Sequence, residues 1–407
     1  MNVPKLRFKK FNDEWQSINL EDIFQYFSTN SFSREQLSES GILKNLHYGD
    51  IHKKYNSIVN ENDEITSYVK DINYVNKYEL LKNNDLIFAD ASEDYEGIGK
   101  AVEVVNVNNN TISGLHTILA RDNLNVFAPM FKGYYFNSPI VHNQIRVLAN
   151  GFKVYGISKD SINKLNIKVP STNEQSKIAH TLYLLDKKIE LQSKKVEALK
   201  LFKKGLDIKI FNNKKLFDVG IIKEYFESDG GTALEKYIDE KGTYNIISIG
   251  NYTPDGKYYD NGQKVIYNEK TKMKLLSKNN LAMILNDKTT TGDIIGSTIL
   301  IDEDNKYIYN QRTQKLICKN INAEYSWCFF NSKYFRDKVF RLSQGGTQIY
   351  VNYSQIENQK IFIPKNKKIE NDIVKSIFLI TELIDNENDK FLKLQKLKKG
   401  LMQSMFV

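Results

Sequence analysis

The chain of 407 residues contains only two cysteines and no apolar run long enough to cross a bilayer. Cys318 and Cys328 form no Cys-x-x-Cys pair, so a disulfide framework is implausible and a reducing cytoplasm fits best. A membrane-spanning helix needs about 18 or more consecutive apolar residues, and the sequence has no such stretch. Residues 1–10 are basic but lack the apolar centre of a signal peptide. These absences predict a cytoplasmic protein with no membrane partner.

Motifs that bind nucleotides, transfer methyl groups or hold metals are also missing. Residues 97–101 read Gly-Ile-Gly-Lys-Ala, which has neither the spacing nor the hydroxyl of a phosphate-binding P-loop. None of the six prolines are adjacent, which excludes the Pro-Pro-Tyr loop that an amino-methyltransferase would need. The five histidines show no metal-ligand spacing beside cysteines. We therefore expect no catalytic residue, no metal and no cofactor in this chain.

One acidic cluster could suggest a nuclease centre. It comprises Asp85, Asp90, Glu93, Asp94 and Glu96. The second half of the chain has a different set at the corresponding place, namely Asn286, Asp287 and Asp293. Two copies of one catalytic site should agree better, so we interpret these residues as parts of turns and loops.

The charge of the chain is basic, with 58 Lys and Arg against 49 Asp and Glu, a formal net charge of +9. Such a balance suits a polyanionic partner that is bound through its phosphates. The alternative is compositional, because Lys, Asn, Ile and Tyr are all abundant in proteins from AT-rich genomes. Charge alone leaves both interpretations open.

An apolar heptad in residues 178–210 returns 195 residues later, in residues 373–405. Its spacings alternate four and three, which is typical of the seam of a coiled coil. The seam residues are Ile178, Leu182, Leu185, Ile189, Val196 and Leu199 in the first copy, and Ile373, Ile377, Ile380, Ile384, Phe391 and Leu394 in the second. The polar interruptions also coincide, Gln192 with Glu387 and Lys203 with Lys398. The chain is therefore a duplication.

Shorter matches lie upstream of the two heptads. Residues 146–151 align with 341–346, and Tyr155 aligns with Tyr350, at the same offset of 195. Gly205 and Gly400 fall inside the heptads, where a glycine costs about 1 kcal/mol relative to alanine. Fraying of the helix end and close packing against another chain or domain both remain open for these glycines.

Each copy thus consists of a divergent block followed by a long helix. The blocks are mixed and strand-rich, with short strands expected at residues 86–89, 101–107, 167–169, 282–285 and 361–363. We predict an α+β fold in which the two helices pair antiparallel about a pseudo-twofold axis, so that the chain is nearly circular. The expected divisions are residues 1–170, 171–211, 212–364 and 365–407.

This pattern resembles the specificity subunit of type I restriction-modification systems over nearly the whole chain. The resemblance rests on Pro4-x-Leu6-Arg7-Phe8 with Trp15, on Glu174-Gln175-x-x-Ile178 opening the heptad, on Gly346-Thr347-Gln348 with Tyr350, and on the tandem arrangement. The second copy departs from the first in two places. It lacks the Pro-x-Leu-Arg-Phe opening, and it has Lys367-Lys368-Ile369-Glu370 where the first has Thr172-Asn173-Glu174-Gln175.

The resemblance implies that each block is a target recognition domain reading one half of a split, asymmetric site in double-stranded DNA. It implies that the helices space the two half-sites and dock two methyltransferase (modification) subunits, and that restriction/translocase subunits complete the nuclease. S-adenosylmethionine, ATP and Mg²⁺ are then expected on the partner subunits and not on this chain.

Divergent loops are the best candidates for contacting bases, because two readers of different sequences should differ there. The candidates are His116, Arg121, Lys153, Tyr155, Gln311, Arg312, Gln348 and Tyr350. Arg and Gln can make bidentate hydrogen bonds to guanine and adenine in the major groove. The alternatives to a recognition subunit are a coiled-coil adaptor without DNA specificity and a self-contained DNA-modifying enzyme. Gel shift of a duplex would argue against the adaptor, and DNA cleavage or methylation by the chain alone would favour the enzyme.

Overall fold

The structure, a computed structural model, describes residues 3–61, 65, 67–70 and 77–407. Strand-rich blocks and two long helices confirm the predicted α+β fold class. By its internal contacts the chain divides into two compact units. We call residues 1–193 with 389–407 the first unit, and residues 194–388 the second unit. Each unit therefore contains the start of one long helix and the end of the other.

The first unit builds its sheets before the first long helix begins. Its described elements are β1 (Gln16–Ile18), α1 (Leu20–Ile23), β2 (Phe24–Phe27), a 3-10 turn (Arg34–Gln36), β3 (Leu37–Ser38), β4 (Lys44–Leu46), α2 (Tyr48–Lys53), β5 (Ile58–Asn60), β6 (Tyr68–Val69), β7 (Leu86–Ala89), β8 (Ala91–Ser92), β9 (Ala101–Val105), β10 (Thr111–Ser113), β11 (Thr117–Asp122), α3 (Phe131–Phe136), α4 (Pro139–Leu148), β12 (Tyr155–Gly156), α5 (Lys159–Asn163), β13 (Ile167–Val169) and the start of α6 (Thr172–Asn212).

The main sheet of the first unit has the strand order β2-β11-β7-β9-β5. Its centre is β7, whose four residues are all apolar and all buried, as expected for a strand covered on both faces. Leu86 and Phe88 belong to one hydrophobic cluster, and Ile87 and Ala89 to another on the opposite face. A second sheet has the order β10-β4-β6-β3.

The second unit repeats this plan after the first long helix ends. Its described elements are a 3-10 turn (Lys214–Leu216), β14 (Phe217–Ile221), α7 (Ile222–Tyr225), β15 (Phe226–Gly230), two 3-10 turns (Glu235–Tyr237 and Ile249–Asn251), β16 (Tyr244–Ile247), β17 (Lys264–Val265), α8 (Glu269–Lys272), β18 (Leu281–Ile284), β19 (Asn286–Asp287), β20 (Thr298–Leu300), β21 (Tyr307–Tyr309), β22 (Thr313–Cys318), α9 (Ala323–Phe330), α10 (Lys333–Leu342), β23 (Ile349–Tyr350), α11 (Tyr353–Glu357), β24 (Lys360–Pro364) and the start of α12 (Lys367–Ser404).

The sheets of the second unit have the orders β15-β22-β18-β20 and β17-β16-β21. The central strand β18 again carries four buried apolar residues, which alternate between two hydrophobic clusters. The five predicted strands correspond to β7, β9, β13, β18 and β24, with ends that differ by at most two residues. Sequence therefore located the central strands β7 and β18, because fully buried strands are continuous apolar runs.

The long helices take part in the cores of both units. In the first unit, Ile178 and Leu182 from the start of α6 share a cluster with Met402 from the end of α12 and with Phe406, two residues past that end. In the second unit, Ile373 and Ile377 from α12 share a cluster with Phe211 from α6. Start and end thus lie together in each unit, which is the antiparallel pairing predicted from the heptads. No helix in the described ranges is long and apolar enough to span a membrane.

One departure between the two copies has a structural explanation. Arg7 donates from Nε and Nη2 to the two carboxylate oxygens of Glu174, at 2.8 and 2.7 Å. At the offset of 195, the position of Glu174 is taken by Ile369, which carries no charge. The arginine motif at the opening and the glutamate at the helix start are two halves of one ion pair. The second copy lacks both partners, so the two sequence differences correspond to the absence of one ion pair.

Candidate nucleic-acid interface

A turn with positive φ anchors a short ribbon of two strands in the first unit. His116 has φ of 54° and lies just before β11. Its carbonyl accepts a hydrogen bond from the Asp90 N–H at 3.0 Å, and its Nδ1 lies 3.2 Å from Asp90 Oδ1. The Asp90 carbonyl in turn accepts from the Ile157 N–H at 2.9 Å. These bonds hold His116 beside the ribbon of β8 and β12, in which Tyr155 pairs with Ser92.

The second unit builds the same frame from different residues. Arg312 has φ of 67° and precedes β22. Its carbonyl accepts from the Leu285 N–H at 2.8 Å, and the Leu285 carbonyl accepts from the Val351 N–H at 3.0 Å. The ribbon of β19 and β23 pairs Asn286 with Tyr350. Arg312 thus stands where the first unit has His116.

Four of the candidate residues come together in the second unit. Gln311, Arg312 and Gln348 line one cleft of about 280 Å³. Arg312 and Tyr350 line another cleft of about 280 Å³. All four side chains are exposed. The structure therefore gathers long polar and aromatic side chains on one surface, where they can meet the edges of bases.

Hydrogen bonds already orient one of these side chains. Glu235 Oε1 accepts from Gln311 Nε2 at 2.6 Å and from Asn310 Nδ2 at 3.0 Å. Partial burial acts to raise the pKa of Glu235, but hydrogen bonds from its own backbone, Asn310 and Gln311 outweigh it and lower the pKa. The acceptor is therefore a stable carboxylate, which fixes the amide of Gln311 through its donor end.

Hydrogen bonds correct the alignment of the loops that end in these ribbons. Asn150 and Gly156 exchange two backbone hydrogen bonds, and so do Gln344 and Tyr350. The sequence alignment paired Tyr155 with Tyr350 at an offset of 195, but the structure pairs Gly156 with Tyr350 at 194. The chemical likeness of the two tyrosines, and of Arg146 and Arg341, favoured the wrong register.

A glycine at the start of each loop fits this corrected alignment. Gly151 has φ of 121° and Gly345 has φ of 117°. A Cβ at either position would lie 2.0 Å from a carbonyl oxygen three residues later, that of Val154 or of Gln348. Only glycine fits this turn without a steric clash, so both loops begin with the same tight turn.

Arg121 is placed where it cannot reach DNA. Arg121 is only 7% exposed, and its guanidinium donates to both carboxylate oxygens of Asp85 at 2.8 Å. It also bonds Glu79 and the Leu80 carbonyl, and its guanidinium carbon lies 4.5 Å from the ring centre of Phe27. This geometry corrects its selection as a base-contacting candidate. The sequence could not reveal the ion pair, because Asp85 lies 36 residues away.

The loop that contains Lys153 presents a residue that sequence analysis did not single out. Lys153 is exposed, and so are the other residues of the loop from 151 to 154. Phe152 is 100% exposed, the highest value among the exposed large apolar residues of the described chain. The signal in the sequence was a large apolar residue directly after the turn glycine Gly151.

The twelve seam residues of the long helices are all buried or partly buried. In the first unit, Lys398 Nζ lies 2.6 Å from Asp186 Oδ1. In the second unit, Lys195 Nζ lies 3.1 Å from Glu387 Oε2. Two of the polar interruptions, Glu387 and Lys398, thus form ion pairs from one helix to the other. A Cβ at Gly205 or Gly400 would have no atom of this chain within 4 Å, so close packing within the chain does not explain these glycines.

Comparisons with known proteins place these features in a family. The family model described as the type I restriction modification DNA specificity domain matches the chain twice, at residues 12–201 and 214–396. The chain is 21% identical over 428 residues to the putative type I restriction enzyme MjaX specificity subunit of Methanocaldococcus jannaschii, covering 98% of this chain and 95% of the relative. It is 25% identical over 298 residues to the MjaVIII specificity subunit of the same organism, covering 66% and 67%.

Solved structures share the fold of the whole chain. The S subunit of a type I restriction-modification system from M. genitalium superposes with a TM-score of 0.62 at 15% identity, covering 100% of this chain and 99% of the other. A chain from another type I restriction-modification system has a TM-score of 0.59 at 12% identity, covering 98% and 99%. Taken with the two family matches, which between them span most of the sequence, these likenesses show that the chain belongs to the DNA specificity subunits of type I restriction-modification systems.

Proposed function

We propose that this chain is the DNA-recognition subunit of a type I restriction-modification complex, and that each unit reads one half of a bipartite, asymmetric site. The observation that carries this proposal is the repeated frame with unlike side chains. One backbone arrangement presents His116 in the first unit and Arg312 in the second, where Gln311 and Gln348 line the same cleft as Arg312. Equal frames with different polar groups should read different base sequences.

The chemistry of base reading therefore differs between the two units.

 Arg312 carries five N–H donors and can bond both acceptors of a guanine, whereas the amides of Gln311 and Gln348 suit adenine. In the first unit, His116 stands at the place of Arg312 and offers a single ring group. Tyr155 is half-buried, with its ring packed edge to face on Tyr95. Lys153 and the net charge of +9 add attraction for the DNA phosphates, which supplies affinity without sequence information.

We also propose that the long helices set the distance between the half-sites. The helix α6 has 41 residues, which corresponds to roughly 60 Å at 1.5 Å per residue. Its buried seam and its ion pairs with α12 hold it straight within each unit. A stiff helix keeps a recognition unit at a fixed place along the DNA, so a fixed spacer between the half-sites is expected.

Docking of two methyltransferase subunits is supported by a repeated pair of exposed apolar residues. Leu184 of α6 and Leu397 of α12 are 54% and 51% exposed in the first unit, and each lies within two residues of the ion pair between Asp186 and Lys398. Phe202 and Leu379 occupy the equivalent heptad positions in the second unit and are 61% and 64% exposed. Apolar residues repeated on an outer surface are typical of a protein interface.

Catalysis is proposed to belong to the partner subunits. The described residues contain no group of three His, Cys, Asp or Glu that could hold a metal ion. The carboxylates of the acidic cluster have structural partners, since Asp85 bonds Arg121 and Asp94 bonds the Gly97 N–H. We propose that S-adenosylmethionine, ATP and Mg²⁺ bind the methyltransferase and translocase subunits.

The test of recognition is to map methylated adenines in DNA from a methylation-free host that expresses this chain with its methyltransferase. The proposal expects one motif of two unlike halves, separated by a spacer of fixed length. The methyltransferase alone is the control and should leave no motif. A motif that does not depend on this chain would contradict recognition, and methylation by this chain alone would indicate a self-contained enzyme.

The test of docking is the mass of the complex. Leu184→Asp with Leu397→Asp should remove one of two methyltransferase subunits, because charge then replaces one of the two apolar pairs. Lys188→Asp is the matched control, since it adds negative charge at an exposed position of the same helix. Loss of both subunits, or of neither, would contradict two independent docking sites.

A further inference from the structure

Phe152 is an apolar side chain presented to solvent on a tight loop. The ring is 100% exposed, and Val154, two residues later, is 57% exposed. Single exposed apolar residues are common on protein surfaces. This one is unusual because the loop that carries it is closed at its base. Gly151 makes a turn that no other residue fits, and two backbone hydrogen bonds join Asn150 to Gly156.

Contacts at the base of the loop hold it further. Tyr95 packs edge to face on Tyr155, with ring centres 5.2 Å apart. The Tyr95 hydroxyl donates to the Arg146 carbonyl at 3.0 Å, and the Arg146 guanidinium forms an ion pair with Glu96. This frame restrains the backbone that carries Phe152, which limits the backbone entropy that is lost when the ring binds.

The position of the loop points it to the DNA-reading surface. The Asp90 N–H donates to the His116 carbonyl, and the Asp90 carbonyl accepts from the Ile157 N–H. Asp90 therefore joins the end of the loop to His116. In the second unit the corresponding loop places Gln348 in one cleft with Gln311 and Arg312. The tip of the first loop therefore belongs to the same surface as the base-reading candidates.

The two loops differ at their tips. The corrected alignment places Gly346 opposite Phe152, and Gln348 opposite Val154. The first loop is therefore apolar at both positions, whereas the second has no side chain at one and an amide at the other. This difference lies at a place where two readers of unlike half-sites should differ.

We propose that Phe152 inserts at a base step of the first half-site and partly unstacks it. The inference rests on the proposed function. Apolar wedges such as phenylalanine open base steps in many DNA complexes, because an aromatic ring replaces the stacking that the bases lose. A fully exposed ring has the free faces that insertion needs. The second unit has glycine at the corresponding position, so this loop unstacks only the first half-site.

The experiment uses the full chain assembled with its methyltransferase, and duplexes of the mapped site. 2-Aminopurine, whose fluorescence rises when it is unstacked, replaces one base at a time in and beside each half-site. The methylated adenines are left unchanged, because a methyltransferase turns its target base out of the helix. The intact complex should raise the signal several-fold at one step of the first half-site. Phe152→Ala should abolish that rise and weaken binding roughly tenfold or more, whereas Phe152→Trp should keep both.

Two further variants make the result specific. Leu124→Ala is the control, because Leu124 is also exposed but follows the end of β11, whereas His116 precedes its start. This variant should change neither the fluorescence rise nor the binding. Gly346→Phe should create a new rise in the second half-site, since a side chain at Gly346 has open space around it. Equal thermal unfolding of all variants would show that each is folded.

The proposal is overturned if Phe152→Ala keeps the fluorescence rise, or if no step of the first half-site responds to the intact complex. It is also overturned if Phe152→Ala weakens binding with no fluorescence change anywhere, because the ring would then touch a groove edge, such as a thymine methyl. In these cases the mapped bipartite motif remains, so the recognition function stands. An intact complex that leaves no such motif would overturn both.

Discussion

The ring of Phe406 packs against the ring of Tyr135 with centres 5.5 Å apart. Phe211 packs against Phe329 in the second unit with centres 5.6 Å apart. Phe406 lies just past the end of the second long helix, and Phe211 lies in the last turn of the first, 195 residues earlier. Each unit therefore closes its core with a phenylalanine from the helix that the other copy of the repeat supplies.

Replacing Phe406 with alanine should destabilise the first unit. Phe406 is 2% exposed and also contacts Phe131, so its removal leaves a cavity in the core. Losses of about 3–5 kcal/mol are typical of buried phenylalanine. Denaturant unfolding of the full chain should show the loss, and Phe202→Ala, at an exposed position, should change stability by less than about 0.5 kcal/mol. An unchanged midpoint for Phe406→Ala would contradict its role in the core.

A fragment of residues 1–211 should form a closed dimer. It keeps Tyr135 but lacks Phe406, and it ends in Phe211, which is the equivalent residue of the repeat. A second copy of the fragment can supply Phe211 and the missing half of the helix seam, in a twofold arrangement. Sedimentation would show the mass, and selection from random duplexes should return a split palindrome of the first half-site. A monomer, or a dimer that prefers an asymmetric site, would contradict this.

Loss of one partner of the ion pair between Arg7 and Glu174 should cost more stability than loss of both partners. Glu174 is 1% exposed, so Arg7→Met leaves a buried carboxylate without its partner and should cost roughly 3–5 kcal/mol. The double variant Arg7→Met with Glu174→Leu should recover most of that loss. Lys82→Met, which breaks an exposed pair with Glu79, is the control and should cost less than about 1 kcal/mol. A double variant as unstable as Arg7→Met alone would contradict this account.

Asp207 should make the second unit more stable as the pH falls. Burial raises the pKa of Asp207 to about 6, although Lys203 acts to lower it. A raised pKa means that the charged carboxylate costs stability above about pH 6, and that this cost fades as the pH falls toward the ordinary value of 3.8. Asp207→Asn should therefore stabilise the chain by roughly 2–3 kcal/mol at pH 7.5, and by clearly less at pH 5.

Denaturant midpoints at the two pH values would check this prediction. Asp389→Asn serves as the control, because Asp389 is exposed on α12 and should give no such difference. An Asp207→Asn variant that is equally stabilised at both pH values would contradict the assigned protonation.

Sequence predicted the parts of the fold that depend on periodicity. The heptads located both long helices to within a few residues, and continuous apolar runs located β7 and β18. Because the chain is a duplication, each of these elements could be predicted in both copies. Local patterns succeed here because burial of a helix seam or of a central strand is encoded by residues that lie close in the chain.

Features that depend on distant contacts could not be predicted in the same way. Arg121 was selected as an arginine at the edge of a strand, but Asp85 and Glu79 hold it inside the fold. Tyr155 and Tyr350 look alike in sequence, but the backbone hydrogen bonds set them one residue apart. Phe152 was passed over because exposure of an apolar residue depends on the turn at Gly151, whose geometry is known only from the fold.

The most direct test of the account is to exchange residues 212–364 for the second recognition block of another specificity subunit. Methylated adenines are then mapped in a methylation-free host that expresses the hybrid with the methyltransferase. The account predicts that one half of the motif changes, while the other half and the spacer length stay the same. A motif in which both halves change, or in which neither half changes, would contradict the claim that each unit reads one half-site.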